Sequence, residues 1–174
     1  MTLLDRLLGR TPKAADKRTS DAEMIAMLTG GSRAASGASV TAENAMTFTA
    51  VLACVRVLSE SVASLPLIVY RRDPDGGKSR ATDHPLYPVL HDAPNPEMTS
   101  VQWRETAMVH LCLWGNSYNE IVFDGAGRVR ELWPLSPSGM TVKRINGQLV
   151  YEHREGSAQP IQYPASSILH ICGL

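Results

Sequence analysis

The sequence predicts an α+β fold, two main helices packed on antiparallel strands and preceded by a flexible N-terminal arm, and three observations predict it. Apolar residues recur at steps of three and four from Phe48 to Leu65. A second helical stretch opens at Thr99 with Gln102 in capping-box position. Beyond Gly115 the pattern becomes short apolar segments parted by turn residues, and a block of helices followed by a block of strands is the signature of α+β layering. The 174 residues, 44% hydrophobic and 20% charged, suffice for one core plus a tail.

Residues 1–40 stand apart. Leu3, Leu4, Leu7 and Leu8 have helical spacing and stop at Gly9, and a second short helix fits residues 22–28. The segment is otherwise small, polar and Gly/Ser-rich, too poor in apolar surface to offset its ordering entropy, so a flexible arm is expected. Residues 41–174 are expected to form the folded domain. Phe48, Val51, Leu52, Val55, Leu58, Val62 and Leu65 build the predicted buried face of its first long helix, which Pro66 ends. Residues 67–70 read as a strand, and the Asp73-Pro74-Asp75-Gly76-Gly77 run as a turn into a hairpin or loop. Asp83-His84-Pro85 supplies a cap and a first-turn proline for a short helix over residues 86–91. The second long helix runs from Thr99 to Gly115, with Val101, Met108, Leu111 and Trp114 on its expected buried side. Strands over 118–123 and 129–135 flank a turn at 124–127; strands over 140–144 and 149–153 flank Asn146-Gly147; a last strand covers 168–171.

Charge and motif content exclude several function classes. Seventeen basic side chains balance seventeen acidic ones; the first 40 residues hold six basic and four acidic, the remainder eleven and thirteen. A body without basic excess is not built to grip phosphates. No apolar run approaches the roughly 18 to 20 residues of a membrane span, and Asp5 and Arg6 interrupt the leucines of the first ten residues, which do not form a secretion signal. Cys54, Cys112 and Cys172, odd in number and far apart, indicate reduced thiols rather than a disulfide framework.

Sequence signatures of catalysis or cofactor binding are missing: there is no G-x-S-x-G, P-loop, H-E-x-x-H or C-x-x-C, and Gly125-Ala126-Gly127 reads as a hairpin turn. His110-Leu111-Cys112 and His170-Ile171-Cys172 repeat an H-x-C pattern that faces one side only on a strand, and the first lies on a predicted helix, so no metal site is expected. His84 and His91 flank the short helix and suit capping or surface roles. Glu60, Glu105, Glu120 and Glu131 are scattered over helices and strands, and ion pairs with Arg104, Arg128 or Arg130 are expected rather than an acid/base pair. Trp103, Trp114 and Trp133 lack the interleaved basic residues of a single-strand nucleic-acid platform, and Trp103 and Trp114 suit a core or a subunit contact.

The order of the motifs resembles a known family. Val51 through Arg56, Ser61, Ala63-Ser64-Leu65-Pro66-Leu67 and Tyr70-Arg71-Arg72, then Asp83-His84-Pro85-Leu86-Tyr87, Leu90, Pro94-Asn95-Pro96, Met98-Thr99 and Arg104-Glu105-Thr106 look like the opening of phage portal proteins. Leu113-Trp114-Gly115-Asn116-Ser117-Tyr118, Leu132-Trp133-Pro134-Leu135, Pro137, Val142, Tyr151 and Ile168-Leu169-His170-Ile171 continue the series in family order, so that the resemblance covers residues 40–174. It implies a wing-like part of a portal subunit, ahead of the stem, clip and channel-lining elements that follow the last strand in the family. It further implies a structural, non-enzymatic role without cofactor. The expected setting is a ring of usually twelve copies at the capsid portal vertex of a virion, assembled in the host cytoplasm, through which double-stranded DNA enters and leaves. Large terminase, capsid and scaffold proteins and head-to-tail connector proteins are the implied partners.

Subunit contacts are expected from Trp103, Trp114, Tyr118 and Trp133, since large aromatics dominate interface energetics. Cys172 stands where a polar residue is more usual in the family. Two alternatives differ in kind. A prophage remnant or stand-alone interaction module with the same fold would be monomeric or dimeric. A small hydrolase using Cys54 or Cys112 with a histidine would need an accessible, low-pKa thiol, whereas the thiols are expected to be buried and unreactive.

Overall fold

A computed structural model describes residues 32–33 and 39–173, and the chain divides into two units, residues 1–41 and 42–174. In the first unit Ser32–Arg33 (β1) pairs antiparallel with Ser39–Val40 (β2). The helices expected over residues 3–8 and 22–28 lie outside the described residues, as does nearly all of the expected arm.

The second unit opens with one helical turn, Ala42–Ala45 (α1), followed by the long helix Thr49–Ala63 (α2). Tyr70–Arg72 (β3) and Lys78–Arg80 (β4) form a hairpin whose turn is closed by Ser79 Oγ and Gly77 N–H donating to Asp73 and Asp75. The ladder starts at Tyr70, so Leu67, Ile68 and Val69 precede the strand expected to contain them; only the Val69 carbonyl is tied in, accepting from Ala81 N–H at 2.9 Å. Leu86–His91 (α3) has Pro85 at its N-cap position rather than in its first turn, and no side-chain cap; ahead of it His84 Nδ1 accepts from Leu86 N–H at 3.2 Å, while Asp83 pairs with Arg71.

Ser100–Trp114 (α4) begins with the full capping box: Thr99 Oγ1 accepts from Gln102 N–H at 3.3 Å, and Gln102 Oε1 accepts from Thr99 N–H at 2.9 Å. It ends at Gly115, which takes a left-handed φ of 69° that a side chain would disfavour. Two antiparallel three-stranded sheets follow. The first has the order β10–β5–β6, from Ile168–Cys172, Asn116–Phe123 and Val129–Leu135; the second has the order β7–β8–β9, from Met140–Ile145, Gln148–His153 and Ile161–Pro164. Asn146 and Gly147 both take positive φ, 51° and 79°, the backbone a tight two-residue hairpin turn requires. Strand β9 is not legible in the sequence because Pro160 precedes it, Pro164 is its last residue and only its β8 side is paired.

Side-chain alternation on the first sheet separates two cores. Trp103, Val89 and Leu132 pack with Ile121 and Leu169 on the helical side. Tyr118, Tyr151 and Ile168 pack with Leu135, Met140 and Tyr163 between the sheets. The layers are therefore helix, sheet, sheet. Asn95 ties the loop after α3 to β6, donating from Nδ2 to the Leu132 carbonyl at 2.8 Å, while Leu132 N–H donates back to Pro94 at 2.8 Å.

The buried faces of the long helices differ from expectation. In α2 the buried positions are Val55, Ser59 and Ala63, and in α4 they are Ser100, Trp103 and Ala107. Ser59 and Ala63 on α2, with Ser100 and Ala107 on α4, are small enough to let the two helices approach closely, while Val55 and Trp103 are the large side chains buried with them. Phe48, Leu52, Leu58, Val62 and Leu65 are exposed, three of them by half or more of their surface (Phe48 50%, Leu58 52%, Leu65 64%). Val101 is exposed too, and Met108, Leu111 and Trp114 are only partly covered.

Candidate interaction surface

Arg104 fixes the helix pair that carries the exposed face. Its Nε and Nη2 both donate to the Ala63 carbonyl, at 3.1 and 2.8 Å, satisfying an unpaired acceptor at the C-terminal end of α2. Its Nη1 donates to Ser100 Oγ, which in turn donates to the Leu90 carbonyl at 2.6 Å. One guanidinium thus links α2, α4 and α3. Between α2 and α4 an apolar groove of about 390 Å³ is lined by Val51, Cys54, Val55, Leu58 and Cys112. Leu58 belongs both to this groove and to the exposed apolar side chains of α2, and exposed apolar surface is a feature of interaction sites.

All three thiols are exposed, which corrects the expectation of buried cysteines. Cys54 and Cys112 line the groove because only one side of α2 is covered by α4; Cys172 sits at the end of edge strand β10.

The four aromatics named from the sequence occupy two kinds of place. Trp103 is 4% exposed and donates from Nε1 to Asn119 Oδ1 at 2.8 Å inside the helical core. Tyr118, 6% exposed, stacks on His170 at 4.4 Å and meets the Tyr151 ring edgewise at 5.9 Å. Trp114 and Trp133 are partly exposed. Trp114 meets His110 edge-on at 5.7 Å, and Trp133 Nε1 donates to Glu131 Oε2 at 2.9 Å.

The two H-x-C pairs separate as their elements dictate. His110 and Cys112 diverge on α4, His110 toward Trp114 and Cys112 into the groove. His170 and Cys172 share one side of β10, with Sγ 3.5 Å from Nε2. His170 Nε2 faces Asn116 Oδ1 at 2.9 Å and its Nδ1 faces the Tyr151 hydroxyl at 3.2 Å. Burial lowers the His170 pKa, and that of His110 likewise. The His170 ring is therefore the neutral tautomer that donates from Nε2 to Asn116 and accepts at Nδ1 from Tyr151. Both nitrogens are engaged, so the ring is a structural pin between β5, β8 and β10 rather than a base for Cys172. Among the described residues no group of three His, Cys, Asp or Glu side chains could hold a metal ion.

The carboxylates lie mainly in local pairs: Glu60 with Arg56, Asp124 with Arg128, Glu131 with Arg130 and Glu152 with Lys143. Two expected partners are otherwise engaged, since Arg104 serves the Ala63 carbonyl and Arg128 braces the 124–127 turn. Glu120 is opposite Trp133 in the β5–β6 register, and Glu131 lies two residues away on the same face, a proximity that sequence spacing could not supply.

The model of the family described as phage portal protein matches residues 49–174. The portal protein of Enterobacteria phage HK97 is 30% identical over 136 residues, covering 78% of this chain and 32% of that protein. Protein BeeE of Escherichia coli (strain K12) is 40% identical over 101 residues, 58% of this chain and 63% of BeeE. A solved neck of an empty GTA particle, computed with C6 symmetry, shares the fold with a TM-score of 0.65 at 23% identity, over 87% of this chain and 42% of that one. The chain thus spans about a third of the HK97 protein's length and under two thirds of BeeE's.

Proposed function

The chain belongs to the phage portal protein family, and from that premise we propose that it forms the wing-like outer part of a portal subunit. The subunit stands in a closed ring of identical copies, twelve in the full-length family, at the capsid portal vertex. Its role is structural and assembly-directing rather than enzymatic. Double-stranded DNA passes through the ring during packaging and ejection; large terminase, capsid and scaffold proteins and head-to-tail connectors dock on it, with assembly in the host cytoplasm. The single observation that carries this reading is the family match over residues 49–174. The cyclic symmetry of the fold-sharing GTA neck supports the ring, and a body with eleven basic and thirteen acidic side chains suits a conduit in which DNA must slide.

The apolar face of α2 is the proposed contact between copies, because a surface with Phe48, Leu58 and Leu65 half or more exposed gains most by being covered. The four aromatics divide the work. The partial exposure of Trp114 and Trp133 supports a role at a contact with a neighbour, while the burial of Trp103 and Tyr118 suits them to holding the surfaces behind it. Residues 1–40 act as the arm and 41–174 as the wing domain. A thiol-protection experiment tests this: on assembly, Cys54 and Cys112 in the groove lose reactivity toward an aromatic disulfide reagent while Cys172 keeps it. Equal labelling of all three in the assembled state rejects the face.

A second reading, a short chain serving alone as an interaction module, is favoured by BeeE, of which the matched region makes up 63%. It predicts full labelling of the groove thiols at every concentration.

A further inference from the structure

At the open rim between the two sheets lies a cleft of about 340 Å³. Trp133 and Tyr163 give it aromatic surface, Glu120 on β5 and Glu155 after β8 supply carboxylates, and no lysine or arginine is among its lining residues. Arg154, the cation next to Glu155 in sequence, acts on Glu152 instead and lines a separate cavity. Burial first, and the Glu120 carboxylate second, raise the Tyr163 pKa and keep its phenol neutral. His153, 7% exposed, lines the same cleft, and its Nε2 is buried without a hydrogen-bond partner. Among the described residues His110 Nδ1, on α4 and outside this cleft, is the other buried side-chain atom without a partner; such an atom on a residue that lines an open cleft points to a ligand that completes it.

We propose that this cleft binds the arginine side chain of a protein segment. A guanidinium carries five N–H donors in one plane, enough to serve two carboxylates and, in the tautomer protonated at Nδ1, His153 Nε2 as well, and it stacks on aromatic faces. An ammonium has one point charge and three donors and matches the aromatic walls less well. The cleft is lined by a single copy of the chain.

The probe is Nα-acetyl-arginine methylamide, titrated into the folded chain and read by NMR at the tryptophan indole N–H signals. Trp133 reports on the cleft, and Trp103, sealed in the other core by its bond to Asn119, is the internal control. The expected result is a saturable shift of the Trp133 signal with Trp103 unmoved. Affinity falls at least about tenfold for the uncharged isostere acetyl-citrulline methylamide, and about tenfold for the arginine probe in Glu120→Gln, as for a charge-assisted bond lost. Glu155→Gln, at an exposed position, gives a second test should Glu120→Gln disturb folding. A short peptide with one central arginine binds more tightly than the isolated analogue. Absence of saturation, equal binding of the citrulline analogue, or indifference to both substitutions overturns the site; equal affinity of peptide and free analogue overturns its assignment to a protein segment.

Discussion

Trp103 was a candidate for a contact between copies, yet the structure gives it a task inside one copy, and a double-mutant cycle with Asn119 distinguishes the two. Trp103→Phe removes the Nε1–H that Asn119 Oδ1 accepts at 2.8 Å, and Asn119 has 0% of its surface exposed. A buried acceptor stripped of its donor costs about 1 to 3 kcal/mol, and the smaller ring leaves a void beside Val89 and Leu132 worth about 1 to 2 kcal/mol more. The sum, about 3 kcal/mol, is a large fraction of a typical domain stability of about 5 to 15 kcal/mol. With a urea slope of about 2 kcal/mol/M it moves the unfolding midpoint down by about 1.5 M. Asn119→Ala strands the indole N–H and has a similar effect. The double variant recovers about 1 to 2 kcal/mol of the summed loss, because the second substitution removes a partner already unpaired. The midpoints are followed by circular dichroism at two chain concentrations tenfold apart. Additive losses, or a midpoint deficit that appears only at the higher concentration, refute the assignment of Trp103 to the protomer core.

Two further predictions concern the helix pair and pH. Arg104→Lys keeps the charge but loses the fork that places two N–H groups on the Ala63 carbonyl, so the urea midpoint drops by about 0.5 to 1 M, equivalent to about 1 to 2 kcal/mol; an unchanged midpoint contradicts the role of Arg104 as the link between α2 and α4. Burial holds His110 and His170 below the ordinary value of 6.5, so above that pH both are neutral in folded and unfolded chains. As pH falls through 6.5 the unfolded chain binds protons first, and stability declines until the folded values are passed. The midpoint therefore falls between pH 7 and 5.5, less steeply in His170→Gln. The carboxylates of Asp83, Asp124 and Glu152, held below their ordinary values by Arg71, by the 124–128 turn and by Lys143, act in a separate window below about pH 4.5. A midpoint that rises on acidification from pH 7 to 5.5 contradicts the buried-imidazole account.

The parts of the fold legible in the sequence are those specified locally. Thr99 and Gln102 cap a helix with their own side chains, Gly115 stops it, and Asn146-Gly147 turns a hairpin; each acts within four residues, and the structure shows each one. What was illegible depends on residues far apart. The period of the apolar residues from Phe48 to Leu65 gave the helix and, of its expected buried face, Val55, but not the rest, because that side is completed by the small residues Ser59 and Ala63 and by Arg104, 41 positions beyond Ala63. The exposed thiols follow from the same difference. Glu120 joins Glu131 and Trp133, which already share a face of one strand, only through the β5–β6 register, and His153 and Glu155 join the cleft only through the packing of the second sheet, so no motif announces it. Family resemblance is the exception, since the order of weak motifs along residues 40–174 named the family that the match over residues 49–174 then showed.

The most direct measurement for the proposed ring is the mass of the chain in solution, by light scattering after size separation, compared with a Leu58→Glu, Val62→Glu variant of the exposed face. The proposed contact predicts one discrete species at a multiple of 18.9 kDa that collapses to a folded 18.9 kDa monomer in the variant. A parent chain that stays at 18.9 kDa at every concentration, indistinguishable from its variant, contradicts the α2 face as the contact between copies.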